Sequence, residues 1–239
     1  MSLPDSEMIE MTKAAIKQLE EKFDDLVLCT RKYMITIHVD VQDLLHSITR
    51  LPGDLKSEHE LFIEKKEEKL SKAKRVEDVF LTANRYWDFL NYSLLQHVID
   101  RHASDEIKKE MEGYAQEIAQ FRKKTCLRVF SKVYKRKPKK ADDQFKKLVS
   151  EHNIDWSTAT LEDVEQFRND ICSELSLTAF SLQLAAVTTG SVVLTWLVPQ
   201  SLVAHIQKTI ALSSQAMRKH HVTQLTVDGF ITYYNHAGT

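Results

Sequence analysis

Histidine is the residue with which this chain could most readily do chemistry. It holds ten of them, and a neutral imidazole binds metals or moves protons near pH 7. Their spacing argues against both uses. His97 and His102 stand five apart, off a common helical face, and the adjacent pair His220-His221 lacks the spacing of a helical zinc site. There is no HExxH, no GxxxxGK phosphate loop and no GxSxG nucleophile elbow. Ser201 and His205 fall at i and i+4, but no third group orients the histidine, and Ser201 reads as a helix cap. Cys172 lies beside a buried helical stripe and reads as a packed thiol. The expectation is a protein without catalytic, metal or cofactor site, and so not an enzyme.

The basic run Lys135, Arg136, Lys137, Lys139 and Lys140 surrounds Pro138 and reads as a solvated linker. Phosphate contact is its alternative use, with Lys123, Lys124, Arg128 and Lys132 nearby. A formal net charge of −1 offers no general attraction to nucleic acid or acidic membrane. Cys29, Cys126 and Cys172 are an odd number without a CxxC, which suggests a reducing compartment. The segment MSLPDSEMIEMTK has no apolar signal region, so the expected location is cytoplasmic.

One stretch decides the class of protein. The 33 residues between Glu174 and Lys208 contain no Asp, Glu, Lys or Arg, although such residues make up 28% of the chain. Thr178 to Val198 is long enough to cross a bilayer as a helix. Yet Thr188-Thr189-Gly190-Ser191 interrupts it where a hairpin would turn, and both flanks alternate with a period of two. Gln183 and the many hydroxyls would be costly in lipid. A β-hairpin is predicted, with a membrane-inserted helix over 178–198 as the alternative.

Residues 1–134 read as an antiparallel helical bundle. A stripe from Met8 to Val27 predicts one helix from Asp5 to about Tyr33, and Ile37, Val41, Leu44, Leu45, Ile48 and Leu51 predict a second, stopped by Pro52-Gly53. A charged helix is expected from Ser57 to Lys74. The stripe Val76, Val79, Phe80, Ala83, Trp87 and Leu90 then reads as helical, with the aromatics around Trp87 at the centre of a core. A short helix is expected at Leu94 to Ile99, and Ser104 and Asp105 can cap a last long one that carries Ile107, Met111, Tyr114, Ala115, Ile118 and Phe121 inward.

After a linker at 135–143, residues 144–239 change period. Phe145 to Val149 is a first strand, with helix as the alternative over so short a run. Thr160 to Asp163 has the pattern of a capping box, opening a helix with Val164, Phe167, Ile171 and Leu175 inward. The hairpin follows, then a helix from Pro199-Gln200-Ser201 with Leu202, Ile206, Ile210 and Met217 inward. Val222 to Val227 and Phe230 to Tyr234 flank Asp228-Gly229, a strong turn signal. The fold class is therefore α+β, a helical bundle followed by a ferredoxin-like βαββαβ sandwich with an extra strand possible. The third strand has one aromatic and no basic residue, unlike RNA-recognition sheets. Val193, Thr195, Trp196 and Leu197 are the candidate protein interface. The expected partners are proteins, further copies of the chain among them.

Four strings resemble, as a set, a module repeated in large, poorly characterised protein families of invertebrates and fish: WDFLNYSLLQHVID, EMEGYAQEIAQFRKKTCLRVF, TLEDVEQFR and GSVVLTWLVP. The resemblance spans about residues 15 to 234, and in those families the module accompanies death-fold, NTPase or ankyrin-type domains. It implies an adaptor or regulatory role in intracellular signalling of innate-immune or cell-death type. At the level of fold, the C-terminal half is similar to the N-terminal α/β sandwich of the TNF-receptor death-domain adaptor. No functional motif accompanies either likeness, so no site residue is carried over.

Overall fold

Two helices cross between the compact units into which the chain divides in a computed structural model. The structure describes residues 4–49, 73–84, 86–136, 145–175, 177, 181–188, 192–210 and 215–235. One unit is Gln18–Ile118, and the other joins Met1–Lys17 to Ala119–Thr239. Helix α1 (Asp5–Thr36) and the helix Asp105–Lys124 each run through a boundary.

Within Gln18–Ile118, α1 buries Leu19, Phe23, Leu26, Thr30 and Met34 along one stripe. It ends at Thr36, and His38 adopts a left-handed conformation with φ 51°. The Asp40 carboxylate then accepts the N–H groups of Gln42 and Asp43 at 2.7 and 3.1 Å, satisfying the first donors of α2 (Val41–Thr49). Ile37, read as part of that helix, precedes it. Most of the charged helix expected from Ser57 to Lys74 lies outside the described residues. Helix α3 (Val76–Ala83) is shorter than its periodic stripe. It ends at Ala83 with Asn84 as its cap, and farther on the Asp88 carboxylate takes the N–H groups of Leu90 and Asn91 at 3.0 and 2.8 Å in a local turn. Trp87 and Leu90 therefore pack from irregular backbone. Trp87 is fully buried, edge-on to Phe80 at 5.6 Å. Helix α4 (Ser93–His102) buries Leu94, Leu95, Val98 and Ile99 as their spacing predicts. In α5 (Asp105–Lys124), Tyr114 donates its hydroxyl to the Phe89 carbonyl at 2.7 Å.

The second unit holds a mixed α+β arrangement around a five-stranded antiparallel sheet. After α6 (Leu127–Val133) come β1 (Phe145–His152), α7 (Leu161–Glu174), β2 (Gln183–Thr188) and β3 (Val192–Pro199). A 3-10 turn Gln200–Leu202 leads into α8 (Val203–Ile210), followed by α9 (Gln215–Lys219), β4 (Val222–Val227) and β5 (Phe230–Tyr234). Leu202, Ile206, Ile210 and Met217 are all buried, but on separate helical segments. The strand order is β2-β3-β1-β4-β5.

The uncharged run forms two of these strands. Thr188 of β2 stands opposite Val193 of β3 in an antiparallel pair, with the turn at 189–191 outside the described residues. A single helix over 178–198 is thereby overturned, since 183–188 and 192–199 are sheet strands. Among the described residues no helix is long and apolar enough to cross a membrane. At the other end Asp228 and Gly229 have φ of 51° and 84°, the pair of left-handed residues that a two-residue hairpin between β4 and β5 requires.

Register sorts the side chains by face. Leu148 lies between Trp196 and Val227, and Ser150 between Leu194 and Leu225. These six side chains are buried, with Phe167 of α7 6.0 Å from Trp196. On the second face Ala186, Thr195, Val149, Thr226 and Ile231 stand opposite one another in turn, forming one uncharged row across all five strands.

Candidate functional site

A cleft of about 320 Å³ gathers the histidines that sequence spacing could not connect. His152 at the end of β1 and His220-His221 after α9 line it, with Phe167, Val192 and Leu194 as apolar wall. His152 is buried, and its hydrogen bonds fix its state. The Nδ1 group lies 3.0 Å from the His220 carbonyl, which can only accept, so Nδ1 carries the proton. Nε2 then accepts from the Ser150 hydroxyl at 2.9 Å, and that oxygen accepts the Trp196 indole N–H at 3.3 Å. Burial, opposed by the hydrogen bond to His220, lowers the His152 pKa to about 4. The imidazole is neutral.

Polar groups in and beside the cleft also serve the fold. Asp170 accepts from Lys219 and His220, each at 2.6 Å, and these bonds hold its carboxyl down to about 2. Asp155 accepts the backbone and hydroxyl donors of Ser157 at 2.8 and 2.7 Å. Asp163 reaches back to the Thr160 N–H and O–H at 2.8 and 2.9 Å, securing the start of α7 as its spacing predicts. Ser150 is wholly buried. Its contact with His152 resembles a nucleophile and base in distance, but the hydroxyl faces the core and is already shared with Trp196. The arrangement ties the end of β1 to α7 and α9.

Other chemical candidates are placed apart. Ser201 sits inside the 3-10 turn, whose cap position is Pro199, so the cap expected of Ser201 is not its role. His205 Nε2 contacts the Leu175 carbonyl at 2.8 Å. His102 Nε2 lies 2.6 Å from Ser47 Oγ, joining α2 to α4. Burial raises the Cys172 thiol to about 12, which keeps it protonated and inert. Among the described residues, no group of three or more His, Cys, Asp or Glu could hold a metal ion.

The predicted interface residues do not share one surface. Val193 and Thr195 are half-buried on the second face of the sheet, and Leu197 beside them is 9% exposed. Trp196 points the other way. At 1% exposure it belongs to the core with Phe167, as strand alternation requires, and is corrected from surface to interior. The basic run is also divided. Lys135 is exposed, while Arg136 is buried and donates from its guanidinium to Gln183 Oε1 at 3.1 Å. Arg136 is therefore no solvated phosphate contact, and Lys137, Lys139 and Lys140 lie outside the described residues.

Arg136 belongs to a seal along β2. Its backbone N–H donates to the Ala185 carbonyl at 3.2 Å, and the Tyr134 hydroxyl donates to the Leu184 carbonyl at 3.1 Å. The opposite edge is unlike this. On β5, Phe230, Ile231 and Tyr234 are 68%, 62% and 54% exposed. The Asp228-Gly229 turn signal predicts β5 but points to no function for it. Three large apolar residues in a final strand were the available signal. No known protein family, curated protein or solved structure matches the chain.

Proposed function

We propose that this protein is a non-catalytic interaction module that docks other polypeptides along β5 and the adjoining second face of its sheet. Its sheet unit is a ferredoxin-like sandwich lengthened by one edge strand. The sequence of elements around β1 to β4 and the order β2-β3-β1-β4 support that fold. The adaptor role in intracellular signalling suggested by the resemblance is part of the same proposal.

One observation carries the functional reading: the exposure of Phe230, Ile231 and Tyr234 on a strand that contains no charged residue. An edge strand offers backbone donors and acceptors in a row, and natural proteins commonly blunt such rows with Lys, Pro or a covering segment. FITYY has neither Lys nor Pro. Edge addition gives affinity through main-chain hydrogen bonds and specificity through alternate side chains. Ile231 also ends the uncharged row that includes Thr195.

A photo-crosslinking side chain introduced at Ile231 tests this, with Leu81, 77% exposed in the other unit, as the comparison site. Polypeptide adducts specific to position 231, lost on adding Tyr234→Lys, are the expected result. Equal labelling from the two positions would remove β5 from any docking role.

A further inference from the structure

We infer that the contact between α2 and α4 is an acid-sensitive latch, in which His97 is the sensor and the Ser47–His102 hydrogen bond is the clasp. The inference is independent of β5. It gives a role to the two histidines whose five-residue spacing fits no metal site.

Both rings act at one residue of α2. Ser47 is wholly buried, on the same short helix as the buried Leu44, Leu45 and Ile48. Its hydroxyl lies 2.6 Å from His102 Nε2 and 2.8 Å from the Asp43 carbonyl. A protonated Nε2 donates to the Ser47 oxygen while the hydroxyl turns to Asp43, so this hydrogen bond itself survives acid.

His97 is placed differently. Its Nε2 is buried and has no hydrogen-bond partner. An imidazolium carries a proton on both ring nitrogens, so charging His97 would set an N–H where there is neither water nor an acceptor.

The surrounding charges act in the same sense. Burial is the largest cause holding both histidines below their ordinary 6.5, and Arg101 adds to it. Asp100 and the Ser47 backbone oppose it at His97, as Asp43 does at His102, and a charge on His97 disfavours one on His102. His46 on α2 is exposed. On α3, which also packs against α2, Glu77 is exposed and Asp78 is paired with Arg75 at 3.2 Å.

Separating α2 from α4 returns both rings to water, so the open form binds protons more readily than the closed one. The latch is therefore fully closed above about pH 6.5 and weakens as the pH falls below that value. Opening it uncovers Leu44, Leu45 and Ile48, an apolar stripe hidden at neutral pH.

Amide hydrogen exchange of the full chain from about pH 7.5 to about pH 5, corrected for the intrinsic rate at each pH, reads the latch. Protection of α2 should fall by about tenfold or more at the acid end. His97→Gln cannot form an imidazolium and should retain most of that protection, with circular dichroism confirming that it folds. His152→Gln, altered in the sheet, should lose protection in α2 as the parent chain does. Magnetic resonance titration of the imidazole signals in the parent chain needs no variant, and His97 should titrate below 6.5. Constant protection of α2 in the parent chain, an acid loss undiminished by His97→Gln or abolished by His152→Gln, or a His97 that titrates at its ordinary value or above, overturns the inference.

Discussion

The two edges of the sheet present the same backbone chemistry to opposite surroundings. Along β2, Tyr134 and Arg136 satisfy the Leu184 and Ala185 carbonyls and a buried glutamine. Along β5, large apolar side chains stand in solvent. Strand composition does not account for the difference, since β2 (QLAAVT) and β5 (FITYY) are both uncharged. What differs, among the described residues, is burial: the groups along β2 are enclosed with Tyr134 and Arg136, and the side chains of Phe230, Ile231 and Tyr234 are exposed.

The largest expected effect comes from opening the β2 edge. Tyr134→Ala removes a buried ring stacked on Phe130 at 4.6 Å together with the hydroxyl donated to Leu184. It should cost about 3–5 kcal/mol in chemical denaturation. A loss below about 1 kcal/mol would mean that the seal contributes little and that the two edges are energetically alike.

Acid supplies a control that favours neither edge, because His152 ends the central strand β1. Its pKa falls from the ordinary 6.5 to about 4 in the folded protein. Between those values the unfolded chain binds the extra proton, so stability is complete above about pH 6.5 and falls as the pH drops towards 4. The full loss is on the order of 3 kcal/mol, read as a change in denaturation midpoint with pH. His152→Gln should flatten that dependence. An unchanged slope in the variant would assign the titration elsewhere.

The smallest effect belongs to the β5 edge. Gly229 has φ 84°, and a β-carbon there would meet nothing within 4 Å, so Gly229→Ala is opposed by backbone conformation alone. It should cost about 1 kcal/mol and speed amide exchange in β5 while leaving β2 unchanged. Equal exchange at both edges would contradict the local role of the turn.

Much of this arrangement was legible in local sequence. The period of two around Thr188 to Ser191 revealed β2 and β3 because burial on a sheet's inner strands leaves no room for charge, and Asp228-Gly229 announced the last hairpin. Periodicity misleads where local turn chemistry interrupts it. Asp88 turns the backbone just where the aromatic stripe looked helical, and Asp40 starts a new helix inside another periodic run. Four lysines around Arg136 give it the look of a solvated charge, while only three-dimensional contact reveals Gln183 as its acceptor. The His152–His220 contact joins residues 68 positions apart, and no local spacing encodes it. For the interface, alternation was sufficient to separate Trp196 from Val193, Thr195 and Leu197, but grouping all four by apolar character obscured it.

The passage of α1 from one compact unit to the other bears on how the molecule can be taken apart. Asp5 receives Arg128 at 2.6 Å and Lys132 at 3.3 Å, so the opening turns of the chain are fastened to α6, more than a hundred positions later. A recombinant fragment beginning at residue 119 would contain all five described strands yet lack Met1–Lys17, a part of its own unit. Supplying that segment as a separate peptide, or grafting it ahead of residue 119, is the form of dissection that this connectivity calls for.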